Sequence, residues 1–226
     1  MALDALDRER LGNLYFVSKT FDIGSFELSA HLDNPDLPPS PYYMHFPAPN
    51  KPGALYLPEI QATAGRLLFQ LAEEEGITGH MFAGVPEGAN EIARNAAELC
   101  GPNGSNLLTF SKEKLGRLVI FHHIEGHAMP GEKVIGIDDH TSGGRNARLF
   151  QRMLETEMRL KMTHFLNIVD REQGGRQRLA ENGATMRSIF TISELLGLGL
   201  AEGHLTQTQF DDLLHYVRTN PIPTQH

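Results

Sequence analysis

Between Val134 and Asn146 the chain reads Val-Ile-Gly-Ile-Asp-Asp-His-Thr-Ser-Gly-Gly-Arg-Asn. A short apolar run turns abruptly into two carboxylates, then into a small polar loop. The segment after the loop is amphipathic, with Leu149, Phe150, Met153, Leu154 and Met158 on one side of a predicted helix over residues 146–160. Apolar run, polar loop and helix in that order predict a buried parallel strand. Such a strand carries Asp138 and Asp139 to its carboxyl end, where open α/β sheets bind their ligands.

The pieces divide the chemistry. Two adjacent carboxylates repel a bare phosphate but accept hydrogen bonds from hydroxyl groups, or hold a divalent cation. Thr141, Ser142, Gly143 and Gly144 suit a phosphate, because glycine lets the backbone approach and the hydroxyls donate. Arg145 adds a fixed charge, and the helix N-terminus adds positive potential. A ligand with a sugar diol at one end and a phosphate at the other satisfies both halves. A strand end followed by a solvated turn is the competing reading; the flanking run, loop and helix favour the ligand.

Composition narrows the function classes. The formal charge of −8 argues against nonspecific nucleic-acid binding, which needs a basic face. No apolar run reaches the length of a membrane span. Met1-Ala2-Leu3-Asp4 is acidic and has no signal-peptide apolar core, and Cys100 is the only cysteine. A cytoplasmic setting, with no disulfide framework and no cysteine-based zinc site, is expected. Most of the 11 histidines are scattered. His122, His123 and His127 cluster without any HExxH spacing, so a solvated or substrate-side loop is expected there rather than a zinc site.

Along the chain, helices are predicted over 3–17, 59–75 (ended by Gly76) and 89–99, with two short ones at the C-terminus. Thr206 to Gln209 offers the last of these a capping box. Strands are predicted at 26–28, 80–85, 107–110, 118–121, 134–137, 165–169 and 188–192. Residues 34–58, rich in Pro and aromatics, are expected to be irregular. Strands alternating with helices imply an α/β fold with a mostly parallel sheet.

The Val134–Asn146 segment resembles the phosphoribosyl-pyrophosphate signature of the type I phosphoribosyltransferases. Further segments resemble the orotate phosphoribosyltransferase branch. They are Phe26-Glu27-Leu28 followed by Ser40-Pro41-Tyr42-Tyr43, then Gly84 to Ala93, Lys112-Glu113, and Asp170-Arg171-Glu172-Gln173-Gly174-Gly175. Their order and separations match from about Phe21 to Gly203. The resemblance implies a type I phosphoribosyltransferase fold over 1–226: a small hood mainly from 1–58, a core over 59–203, and C-terminal helices over 204–220. It implies Mg²⁺-dependent transfer of 5-phosphoribosyl from phosphoribosyl pyrophosphate to orotate, in a homodimer.

The same resemblance distributes the site. Asp138 and Asp139 would hold the ribose diol and, through it or water, the metal. They and Lys112 would be the catalytic groups. His140, Thr141, Ser142, Gly143, Gly144 and Arg145 would hold the 5′-phosphate. Val85, Pro86, Glu87, Gly88 and Lys112 would line the pyrophosphate side. Arg171, with Tyr42 or Tyr43 and Ser142, would face the base. A guanidinium fork suits the carboxylate of orotate, and an aromatic face suits its ring.

The chain departs from the pattern at several basic positions. Ser29 stands where a Lys is usual, Ser111 where an Arg is usual, and Leu115 where a second Lys is usual. Residues 33–39 are an insertion, and Leu118 to Phe121 intrude on a polar, Gly-rich loop. His140 replaces an apolar residue, and Arg145 a Thr or Ser. These changes keep two rival readings open: transfer to another base, and a non-catalytic member that binds phosphoribosyl pyrophosphate or a nucleotide as a sensor.

Overall fold

The computed structural model describes residues 3–27, 36–45, 54–86, 88–100, 106–115 and 118–220. Glu87, Leu28, Ser29 and Ala30 lie outside them, as do residues 33–35 of the insertion.

The main sheet has six strands: β3 (Met81–Gly84), β4 (Leu107–Leu115), β5 (Leu118–Glu125), β6 (Lys133–Thr141), β7 (Lys161–Asp170) and β8 (Thr185–Thr191). Their order is β5-β4-β3-β6-β7-β8. All neighbours run parallel except β4 and β5, an antiparallel hairpin. The chain leaves β3 towards one edge and β6 towards the other. The gap between the carboxyl ends of β3 and β6 is therefore the topological switch point, where α/β sheets open a crevice.

Side chains alternate across the sheet, and apolar clusters form on both faces. Ile135, Ile137, Leu166, Ile168 and Ile189 pack against helices α1 (Ala5–Val17), α2 (Leu57–Glu74), α3 (Ala89–Glu98), α6 (Ile192–Ala201) and α7 (Gln207–Thr219). Val134, Met162, Phe165 and Met186 pack against α4 (Arg145–Thr156) and α5 (Gly175–Glu181). The strand at 134–137 reads as continuously apolar because it is covered on both sides. Each Leu or Ile wholly buried this way contributes about 1.5–3 kcal/mol.

The helices follow their sequence signals. α2 buries Ile60, Ala64, Leu67, Leu68 and Leu71, the stripe expected from its spacing, and stops before Gly76, which takes φ 67°. Asp4 caps α1 by accepting the Asp7 N–H. Thr206 and Gln209 form the expected capping box on α7, and Thr191 with Glu194 forms a second one on α6.

Two differences bear on the site. Residues 34–58 are not wholly irregular, since β2 (Ser40–Met44) pairs antiparallel with β1 (Phe21–Phe26) as a separate ribbon. Pro41 is tolerated because a two-stranded ribbon leaves half of its backbone donors unneeded. β1 lacks apolar alternation, with Ile23 45% exposed, so periodicity points to 26–28 and misses its start. The strands predicted at 107–110 and 118–121 run on to Leu115 and Glu125 as one long hairpin instead of alternating with helices.

Candidate active site

β6 ends in the acidic pair. Asp138 Oδ1 accepts the Asp139 N–H at 3.0 Å, and Asp139 Oδ1 accepts the His140 N–H at 2.6 Å. Both residues are half-buried. Among the described residues neither is in an ion pair with a Lys or Arg; the His140 ring places Nδ1 3.6 Å from Asp139 Oδ2. Burial first, then the neighbouring Asp139, push the Asp138 carboxyl well above its ordinary range; the Asp139 N–H and Lys112 pull it partly back. Two carboxylates kept side by side without a basic partner are a destabilised arrangement that a cation or hydroxyl donors relieve.

The loop after the pair is built for a close backbone approach. Thr141 is buried, and its Oγ1 has no hydrogen-bond partner among the described residues. A buried hydroxyl without a partner costs about 1–3 kcal/mol, so its retention points to a ligand oxygen. Gly144 takes φ 72° as the N-cap of α4, a left-handed conformation that favours glycine. Gly175 lies directly against this loop. A Cβ there would stand 2.5 Å from the Ser142 carbonyl oxygen and 2.7 Å from Thr141 Cγ2. Glycine lies on glycine, and the Asp-Arg-Glu-Gln-Gly-Gly element thereby shapes the loop. Arg178, from the same helix, donates from Nη1 to the Gly143 carbonyl. Arg145 opens α4, exposed to solvent.

The second loop joins from β3. The Val85 N–H donates to the Ile137 carbonyl at 2.7 Å, which carries the β3–β6 pairing into the turn. Lys112 of β4 donates from Nζ to the Pro86 carbonyl. The Lys112 charge also pulls the Asp138 carboxyl down, the smallest of the influences on it. Gly88 is the N-cap of α3.

The β1–β2 ribbon supports Arg171. The Arg171 N–H donates to the Thr141 carbonyl at 2.8 Å, and its Nε donates to Tyr42 Oη at 3.1 Å. The guanidinium carbon lies 4.5 Å above the Tyr42 ring, which in turn stacks on Phe21. Arg171 is 5% exposed and therefore rigid. Tyr42 is fully buried beneath it and acts as its platform, with no face open to a ring. Tyr43 points to the other side of β2, is 41% exposed, and lies beside Phe26 and His45.

His140 turns away from the loop. Its ring is only 9% exposed, and its Nε2 lies 2.9 Å from Tyr15 Oη of α1. Burial, more than any other influence, holds the imidazole below its ordinary range, so it is neutral at pH 7; Asp139 opposes this, and Arg171 and His45 add to it. Burial, then Asp139 and Asp138, hold the Tyr15 phenol well above its ordinary range, so it keeps its proton.

The structure thus brings together Asp138, Asp139, Thr141, Ser142, Gly143, Gly144, Val85, Pro86, Lys112 and Arg171 around the switch point. Gly175, the last residue of the Asp170–Gly175 element, also shapes this region, as do Tyr15 and Arg178, which belong to no motif. Arg178 follows Gly175 by three residues on α5. Tyr15 and His140 are 125 residues apart and offer no sequence signal. His122 and Lys114 lie on the exposed hairpin, where His122 Nε2 faces Glu113 at 3.6 Å. No group of three or more His, Cys, Asp or Glu side chains able to hold a metal occurs among the described residues.

No protein-family model matches the chain. Uridine 5′-monophosphate synthase of Bos taurus is 32% identical over 199 residues, covering 86% of this chain and 37% of that protein. Orotate phosphoribosyltransferase of Aquifex aeolicus is 30% identical over 141 residues, covering 62% of this chain and 75% of that protein. The chain belongs to the orotate phosphoribosyltransferase family. The crystal structure of orotate phosphoribosyltransferase from Aeropyrum pernix matches with a TM-score of 0.65 at 20% identity, covering 83% of this chain and 96% of that one. The fold is therefore that of the type I phosphoribosyltransferases, with the sheet order and acidic strand described above. Within the family this chain is divergent. Ser111 is half-buried on β4 opposite His122, and Leu115 is 55% exposed near the hairpin tip, at two positions where the family pattern is basic. Among the described residues, no helix is long and apolar enough to cross a membrane.

Proposed function

We propose that the chain transfers 5-phosphoribosyl from phosphoribosyl pyrophosphate to N1 of orotate, giving orotidine 5′-phosphate and pyrophosphate. The observation that carries this reading is Thr141 Oγ1, buried without a partner among the described residues in the loop directly after two adjacent carboxylates. A ribose 5-phosphate supplies what each lacks: hydroxyl donors for Asp138 and Asp139, and phosphoryl oxygens for Thr141 and the backbone N–H groups of Ser142 to Arg145.

The chemistry follows from charge. As pyrophosphate departs, C1 takes on cationic character and negative charge grows on the leaving group. Asp138 and Asp139 orient the ribose and offer negative potential near C1. Lys112, anchored on the Pro86 carbonyl, holds positive charge on the leaving-group side together with the Gly88 turn. Arg171, fixed by Tyr42 and Ser40, presents a planar guanidinium for the carboxylate of orotate. Mg²⁺ fits the donor set, because adjacent carboxylates without a basic partner suit a cation whose other ligands come from the substrate. When bound it would neutralise charge on the diphosphate. A second copy of the chain and a cytoplasmic setting belong to this reading through family resemblance.

Pyrophosphate release in the presence of phosphoribosyl pyrophosphate and Mg²⁺ tests the reading. Release that depends on orotate, and not on uracil or adenine, is the expected result. Release driven by another base retires orotate. Binding of phosphoribosyl pyrophosphate with no release under any base would favour the sensor reading, which the polar and apolar residues at Ser111 and Leu115 support. Lys112→Met should lower kcat by roughly 10²-fold, as expected for removing one fixed charge from the leaving-group side.

A further inference from the structure

Tyr15, His140 and Asp139 form a chain that runs from helix α1 to the outer carboxylate. We propose that Tyr15 and His140 are positioning residues that fix the rotation of the Asp139 carboxylate, and so set affinity for the ribose diol of the sugar diphosphate. The inference rests on the ribosyl-diphosphate reading above.

The geometry leaves these groups few other roles. Tyr15 is 1% exposed, and the His140 ring 9%. A buried phenol and a buried imidazole each cost stability unless paired, and here they pair with each other at 2.9 Å. The rings meet edge to face, with centroids 5.5 Å apart, which restricts both. A hydrogen bond joins Tyr15 Oη to His140 Nε2, and it fixes the plane and rotation of the ring. The other ring nitrogen, Nδ1, then faces Asp139 Oδ2 at 3.6 Å, while Oδ1 is held by the His140 main-chain N–H at 2.6 Å. One oxygen of Asp139 is thus tied by the backbone and the other is biased by the ring. The arrangement parallels metal sites, where the outer partner of a ligand fixes its orientation. Leu11 and Leu14 of α1 are buried in the same cluster as α2 and the sheet, and Arg8 Nε donates to the Ile189 carbonyl of β8 at 3.0 Å, so the Tyr15 end of the relay is anchored to the core.

Calorimetric titration with phosphoribosyl pyrophosphate and Mg²⁺, paired with steady-state kinetics, tests the relay. The variants are Tyr15→Phe, His140→Leu and His140→Asn. Tyr15→Phe and His140→Leu should weaken binding about fivefold to tenfold, the size expected for a lost orienting hydrogen bond. KM for phosphoribosyl pyrophosphate should rise in parallel, with kcat within about twofold and KM for orotate unchanged. In His140→Asn the amide N–H stands near the position of Nδ1 and should recover most of the affinity. Parental affinity in both Tyr15→Phe and His140→Leu overturns the relay, as does equal weakening in His140→Asn and His140→Leu, which marks a packing role. A parent protein that does not bind phosphoribosyl pyrophosphate at all fails the functional reading itself and removes the relay with it.

Discussion

Asp138→Asn/Asp139→Asn is expected to lower orotate-dependent pyrophosphate release by on the order of 10³-fold, as two groups aimed at the reacting sugar are removed together. The same variant should be at least as stable as the parent. Burial and the neighbouring Asp139 raise the proton affinity of Asp138 in the folded state above its ordinary 3.8. A carboxyl that binds its proton more tightly folded than unfolded stabilises the fold at low pH. That contribution is lost as pH rises from about the ordinary value through the raised one. Asparagine does not titrate, so the variant should melt at or above the parent at neutral pH and show a flatter Tm profile as pH rises above about 4. Activity lost while stability is kept or gained separates a functional role from a folding one; a variant that melts well below the parent would assign the pair to structure.

Gly175→Ala is expected to produce the second large effect, through packing. The added methyl meets the Ser142 carbonyl oxygen at 2.5 Å and Thr141 Cγ2 at 2.7 Å, and a backbone carbonyl cannot swing aside as a flexible side-chain end can. Moving it disturbs the Gly144 turn, whose own position lies 3.2 Å from Gly175 Cα when a Cβ is placed on it. Overpacking of this kind costs about 2–3 kcal/mol. For a chain of this size that is roughly 5–10 °C in Tm. Affinity for phosphoribosyl pyrophosphate should fall with it, because the displaced atoms belong to the phosphate loop. Thermal melting with and without the ligand reads both effects: a parent-like Tm and ligand shift would mean that the two glycine segments are not in contact.

Much of this architecture is legible in the residues, for identifiable reasons. The strand at Val134 to Ile137 is buried on both faces, so its apolar run is continuous, and the abrupt change at Asp138 marks where the sheet ends. The α2 stripe from Ile60 to Leu71 and the stop at Gly76 follow helical spacing and φ. β1 and β2 are less legible, because a two-stranded ribbon has no covered second face to impose alternation. Short α5 gives no signal of its own, being seven residues opened by Gly174 at φ 94°. At the site, local motifs reveal the groups that adjoin a ligand in sequence, such as Asp138 to Arg145. They do not reveal partners brought in by tertiary contact. Tyr42 reads as an aromatic face for a base, yet a fully buried ring beneath Arg171 is a support. His140 reads as part of the phosphate loop because of its position, yet its side chain points to a helix 125 residues away.

Titration of the protein with phosphoribosyl pyrophosphate and Mg²⁺ by calorimetry, run on the parent and on Asp138→Asn/Asp139→Asn, tests the assignment of the acidic strand most directly. One saturable site per chain in the parent, with affinity lost at least about 100-fold in the double variant, is the expected result. Undiminished binding in the double variant would contradict it.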